Sequence, residues 1–147
     1  MKSLICSIGI AVGIITLAGV QNASAQVTDA IEFTTSFAFT AGAATLPAGT
    51  YTIRPDEDAP DILLLTGAQG SVFLPTDNAQ AREVPSKTEV VFARYGGGYV
   101  LKNVWVAGST SGAVSKTAEG ERHMAKLGGS KGEQRVAALK VDLSKGR

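Results

Sequence analysis

Cysteine is almost missing from this sequence: the one thiol, Cys6, sits near the N-terminus. A body without cysteine forms no disulfide and no thiolate metal site, so its stability has to come from a packed core. Histidine is as scarce, with His123 alone. Structural zinc takes four protein ligands and catalytic zinc three. Hydrolysis of the usual kind needs a base oriented by a third group. A single histidine supports neither. Aromatic residues make up 6% of the chain, with one tryptophan, and no charge sign dominates, 14 Lys and Arg facing 13 Asp and Glu. That balance removes the electrostatic ground for a nucleic-acid or acidic-polymer partner.

What is present begins with an apolar leader. Met1-Lys2-Ser3 carries one positive charge, Leu4–Val20 carries no charged side chain, and Ala23 and Ala25 stand just before Gln26. This charged, apolar, A-x-A order predicts a cleaved secretory signal peptide over residues 1–25. Ser3-Leu4-Ile5 does not put before Cys6 the small residue that lipoprotein processing needs. Cleavage removes Lys2 and Cys6, leaving residues 26–147 as a single cysteine-free domain whose basic and acidic residues are equal in number. A chain of about 120 residues buries roughly 65% of its unfolded surface, enough to fold alone. The expected location is the periplasm or the extracellular space, with no transmembrane segment left after cleavage. Export without cysteine points to a bacterial source.

Turn-forming clusters punctuate the rest. They fall at Gly42 and Pro47-Ala48-Gly49, Pro55 to Pro60, Gly67 to Gly70, Pro75 to Pro85, Gly96 to Gly98, Gly108 to Gly112 and Gly128 to Gly132. Short segments between such turns predict an all-β fold, a single antiparallel sandwich or small barrel. Periodicity does not decide between those two. Ile31 to Phe39 alternates, with Ile31, Phe33, Phe37 and Phe39 on one face. Thr50 to Arg54 sets Tyr51 and Ile53 together. Ile62 to Leu65 is apolar on both faces, and Ser71 to Leu74 is its short partner. Two arms, Thr88 to Tyr95 and Tyr99 to Val106, flank three glycines and predict a hairpin. The inward face of the second arm stays open, because Tyr99, Leu101 and Trp105 compete with Val100, Val104 and Val106. Asp77 to Lys87 is the least structured stretch by composition. Good helix formers from Ser115 to Leu127, stopped by Gly128-Gly129, predict one short helix at about 115–127. Gln134 to Leu143 then alternates as a last strand.

The order Phe37-Ala38-Phe39, Leu46-Pro47-Ala48-Gly49-Thr50-Tyr51, Phe92-Ala93-Arg94-Tyr95, Tyr99-Val100-Leu101, Trp105 and Gly108, closing on Ser115 and Glu119-Gly120-Glu121, resembles a group of small exported bacterial β-proteins. They occur in soil bacteria and are uncharacterised. The resemblance spans roughly Phe33 to Leu127 and implies fold and export; it implies no activity. The helix-then-strand ending is similar to lipocalin-like barrels in topology only, without their fingerprint residues.

Candidate chemistry is sparse. Glu119 and His123 lie one helical turn apart and offer a metal two ligands. Gly108-Ser109-Thr110-Ser111-Gly112 differs by one residue type from a nucleophile elbow, which requires a parallel α/β sheet. The same stretch before Ser115-Lys116-Thr117 lacks the Gly-Lys adjacency of a phosphate loop. Asp56-Glu57-Asp58-Ala59-Pro60-Asp61 packs four carboxylates into a loop that calcium could use, though not with EF-hand spacing. Tyr95, Tyr99 and Trp105 form an aromatic set that could stack on a sugar or hold an apolar ligand. No residue is assigned as catalytic, cofactor-binding or metal-ligating, and no cofactor is expected. Two readings lead, and an enzyme, a hydrolase at most, ranks third because acid–base groups are so few. The first is a non-enzymatic structural or interaction domain with a protein partner in the envelope or outside the cell. The second is a carrier holding a small apolar ligand inside the barrel among Phe37, Phe39, Phe92 and Leu101.

Overall fold

Alternation along the chain builds a wall with one oily side. The computed structural model describes residues 29–96, 98–116, 126, 128 and 130–142. In β1 (Ala30–Thr35), Ile31, Phe33 and Thr35 are buried and Glu32 and Thr34 are exposed. In β4 (Gly49–Pro55) Tyr51 and Ile53 face the same core, and in β5 (Ile62–Gly67) Leu63 and Leu65 do. The remaining strands are β2 (Phe39–Ala41), β3 (Ala44–Leu46), β6 (Gly70–Gln80), β7 (Glu89–Tyr95), β8 (Gly98–Trp105), β9 (Ser111–Ser115) and β10 (Ser130–Val141).

The strands β8, β7, β10, β1, β4, β5, β6 and β9 join in that order, and β9 pairs back to β8. The result is a closed eight-stranded antiparallel barrel. Closure leaves no open edge in the ring, which is the usual hazard of a free sheet. Two long strands change partners partway along. β6 pairs with β5 through Pro75 and with β9 from Thr76 onward. β10 pairs with β7 as far as Ala137 and with β1 from Ala138. β2 adds to β8 in parallel beside Tyr99 and Val100, where β9 does not reach, and β3 pairs with β2. The hairpin tip at Gly42 has φ +61°, and a Cβ there would stand 3.5 Å from the Phe73 carbonyl oxygen. The β2–β3 hairpin therefore spans the gap between the first halves of β8 and β6.

The core is filled by rings. Phe92 lies 5.0 Å from Phe39, 5.2 Å from Phe37 and 6.0 Å from Phe33 between centroids. Tyr51 meets Phe33 at 5.8 Å and Phe39 at 5.2 Å. Such pairs contribute ~0.5–1.5 kcal/mol beyond the area they bury. Ile31, Ile53, Leu65, Leu74 and Leu101 complete the packing with essentially no exposure.

Several expectations need correction. Ile31 to Phe39 is not one strand: it bends at residues 36–38, where the Thr35 hydroxyl donates to the Phe37 carbonyl at 3.0 Å, and restarts as β2. The partner of β5 does not stop at Leu74. It runs through Pro75 to Gln80, so Asp77 to Gln80 are strand and the loop is 81–88. Proline is tolerated there because the strand is exchanging neighbours: Pro75 stands at the end of the ladder to β9, so its missing N–H costs only a terminal position. Its carbonyl is used, accepting from Lys116 N at 2.9 Å. Ser115, expected to open the helix, instead closes β9, and the helix is not among the described elements. Of the expected span, residues 117–125 and 127 lie outside the described residues, while Lys126 has helical backbone. The signal-peptide segment also lies outside them. The second hairpin arm has no single inward phase, because the pairing shifts between Val91 and Phe92 and leaves Lys102 without a partner in register. Leu101 points inward before this bulge and Val104 after it.

Candidate functional site

The chain order β6, β7, β8, β9 is not the spatial order, since β6 lies beside β9. The connection 81–88 must therefore pass across the end of β8 and β9 on its way to β7. Four hydrogen bonds pin it. Ala81 N donates to Thr110 O at 2.7 Å and Gly108 N to Pro85 O at 2.9 Å. Thr88, itself buried, accepts from Ala107 N on its hydroxyl at 3.1 Å and from Ala138 N on its carbonyl at 2.9 Å. The loop is thus tied to the β8–β9 turn at three points and to β10 at a fourth.

Beneath and beside this loop is a groove of about 600 Å³. Its loop side runs from Ala81 to Lys87; its wall side is Glu89, Trp105 and Arg135. Trp105 ends β8 on the outer surface, next to inward Val104, and stands directly across from Glu89 on one side and Gly112 on the other. Its indole lies over Gly112: a Cβ built there would be 2.7 Å from Cζ3. Glycine at that position lets the ring settle onto the wall.

Charge in the groove is mixed. Arg135 Nη1 pairs with Glu89 Oε1, and Arg135 Nη2 lies 3.6 Å from Glu133 Oε2. Glu133 also meets Lys102 Nζ at 3.2 Å, so a line of alternating charge runs beside the indole. These are surface pairs and each contributes at most ~1 kcal/mol. Arg82, Glu83 and Lys87 are exposed and make no ion pair or side-chain hydrogen bond among the described residues.

The aromatic set is split by the fold. Tyr99 stacks on Phe37 at 4.0 Å and packs against the core, whereas Trp105 belongs to the groove. Six residues of strand separate the two by roughly 20 Å. Tyr95 stands at the other end of the hairpin, opposite Gly98. Among the carrier residues, Phe39, Phe92 and Leu101 are essentially unexposed and contact one another or their neighbours. A smaller cavity of about 90 Å³ lies by Pro60, Asp61, Thr76, Asp77 and Ala113 and involves none of them.

The other candidates are placed as follows. Asp56 uses its carboxylate as a turn cap, Oδ1 accepting from Asp58 N and Ala59 N at 3.1 Å each. Glu57 lies 3.7 Å from Arg54. No group of three metal-ligating side chains occurs among the described residues. Gly108 to Gly112 joins two antiparallel strands, with Ser111 N donating to Ser109 Oγ at 3.1 Å, so it is not the strand-to-helix elbow of a parallel sheet. Glu119 and His123 lie outside the described residues. No helix among the described residues is long and apolar enough to cross a membrane. Glu89 and Arg135 escaped the sequence reading because nothing local marks them; only strand register brings them to Trp105.

No protein family, no curated protein and no solved structure matches this chain.

Proposed function

We propose that the protein is an exported, non-enzymatic interaction domain of the cell envelope or extracellular space, and that the groove at Trp105 is its binding surface. One observation carries this reading. The barrel interior is occupied by its own rings, while the large concavity with an aromatic wall lies outside, under a loop fixed by backbone hydrogen bonds. Binding sites combine apolar area with a few placed polar groups, and this groove has both. The same observation weighs against a carrier, whose ligand would have to displace Phe39 and Phe92.

The test has two parts. N-terminal sequencing of protein recovered from the periplasm or medium of its host is expected to begin at Gln26; a retained Met1 overturns export. Purified protein is then sedimented with isolated envelopes. Retention that falls at least tenfold in Trp105→Ala, with an unchanged circular dichroism spectrum, supports the groove. Retention unaffected by the substitution, or a stoichiometric small molecule seen by native mass spectrometry, overturns it.

A further inference from the structure

Resting on the reading of the groove as the binding surface, we propose that its ligand is a neutral oligosaccharide segment, stacked on Trp105 and hydrogen-bonded by the charged rim. A pyranose ring has an apolar C–H face and an equatorial belt of hydroxyls that both donate and accept. It needs a planar apolar platform bordered by groups of both kinds. The groove supplies them. The indole of Trp105, seated on Gly112, is the platform. Arg82 and Lys87 donate, Glu83 accepts, and none of the three is engaged elsewhere among the described residues. Arg135, held by Glu89 and Glu133, is fixed in place beside them.

Charge excludes the neighbouring ligand classes. A polyanion would meet Glu83, and a polycation Arg82 and Lys87, on the loop side of the groove, where none of the three has an ion-pair partner among the described residues. A wholly apolar ligand would strip water from Arg82, Glu83 and Lys87 without replacing their hydrogen bonds, a cost no small apolar contact offsets. A neutral polyol uses every one of them. The groove is also open, as a chain ligand with two continuing ends requires. Its volume of about 600 Å³ lies within the roughly 300–1,000 Å³ that bound ligands occupy.

Trp105 is the single tryptophan of the chain, so its emission reports this site alone. The purified protein is titrated with cellohexaose, laminarihexaose and the hexamer of N-acetylglucosamine, and with oligogalacturonate and poly-glutamate for comparison. At least one neutral hexamer is expected to shift the emission saturably. By calorimetry its affinity should fall at least tenfold in Trp105→Ala, recover in part in Trp105→Phe, and fall several-fold in the double variant Arg82→Gln/Lys87→Gln. Because no ion is neutralised, that affinity should change less than about twofold as salt is raised to about 1 M, where charge interactions are screened within about 3 Å. Silence from all three neutral hexamers overturns the proposal, as does a response confined to the charged probes or affinity unchanged in both Trp105→Ala and the rim variant. Envelope retention that still depends on Trp105 would then leave the groove standing and only its ligand class refuted.

Discussion

Trp105 and Gly112 face each other directly across β8 and β9, and the indole occupies the space a side chain at 112 would need. A Cβ at Gly112 would stand 2.7 Å from Trp105 Cζ3 and 2.5 Å from the Val104 carbonyl oxygen. The ring can move away; the carbonyl, fixed in the barrel wall, cannot. Gly112→Ala is therefore expected to destabilise the fold by about 1–3 kcal/mol, the usual cost of overpacking. Urea unfolding measures the loss, and a red-shifted Trp105 emission in the folded variant would show the indole lifted from the wall. Unchanged stability and emission would mean that the ring does not rest there. Tyr51, inside the barrel, likewise fills the space a side chain at Gly67 would need.

Phe92 is the hub of the ring cluster, with three phenylalanines around it and no measurable exposure. Its neighbours come from β1, β2 and the bend between them, so they cannot all collapse into the space it leaves. Phe92→Ala should cost about 3–5 kcal/mol, the upper range for a large core side chain. Chemical denaturation of the two proteins checks this. A cost under 1 kcal/mol would mean a loosely filled interior and would revive the carrier reading.

What the sequence made legible was local. Alternation in Ile31 to Thr35, Tyr51 and Ile53, and the two arms around Gly96 to Gly98 were enough for an all-β fold. Closure was not legible, because partner exchange in β6 and β10 is a matter of register between strands far apart in the chain. Pro75 reads as a turn when only its missing donor is considered; in the wall it sits at the end of the β9 ladder, where the strand changes partners. The phase of β8 was undecidable for a definite reason: the bulge at Lys102 makes Leu101 right for one half and Val104 right for the other. Trp105 was visible as a candidate, the stretch Asp77 to Lys87 only as unstructured by composition. Their meeting depended on β6 lying beside β9.

Asp56 bends the β4–β5 connection by accepting two backbone N–H groups, at 3.1 Å from Asp58 and 3.1 Å from Ala59. Asn keeps an acceptor in the same place and Ala removes it. Asp56→Ala should lose about 1 kcal/mol, the usual value of such a hydrogen bond, and Asp56→Asn only a fraction of that. Thermal melts of the three proteins decide it. Equal losses in both variants would show that the charge, not the turn, matters at this position.

Tyr51 gives the barrel an alkaline limit. Its hydroxyl donates to the Pro47 carbonyl at 2.5 Å, and burial pushes the phenol above its ordinary value of 10.0. The folded state therefore holds this proton more tightly than the unfolded chain. The stabilisation is complete below about pH 10 and is lost as pH rises through the folded value, since the unfolded state ionises first. Lys116, raised by its hydrogen bond and charge attraction to Asp77 at 2.9 Å, acts in the same direction from an exposed position. Salt at about 1 M screens that pair and leaves Tyr51. Under those conditions the melting temperature should fall above about pH 10, and the Tyr51→Phe variant, lower by about 1 kcal/mol at neutral pH, should show a shallower fall. Parallel alkaline limbs in the two proteins would mean that the phenol ionises as freely in the barrel as in the open chain.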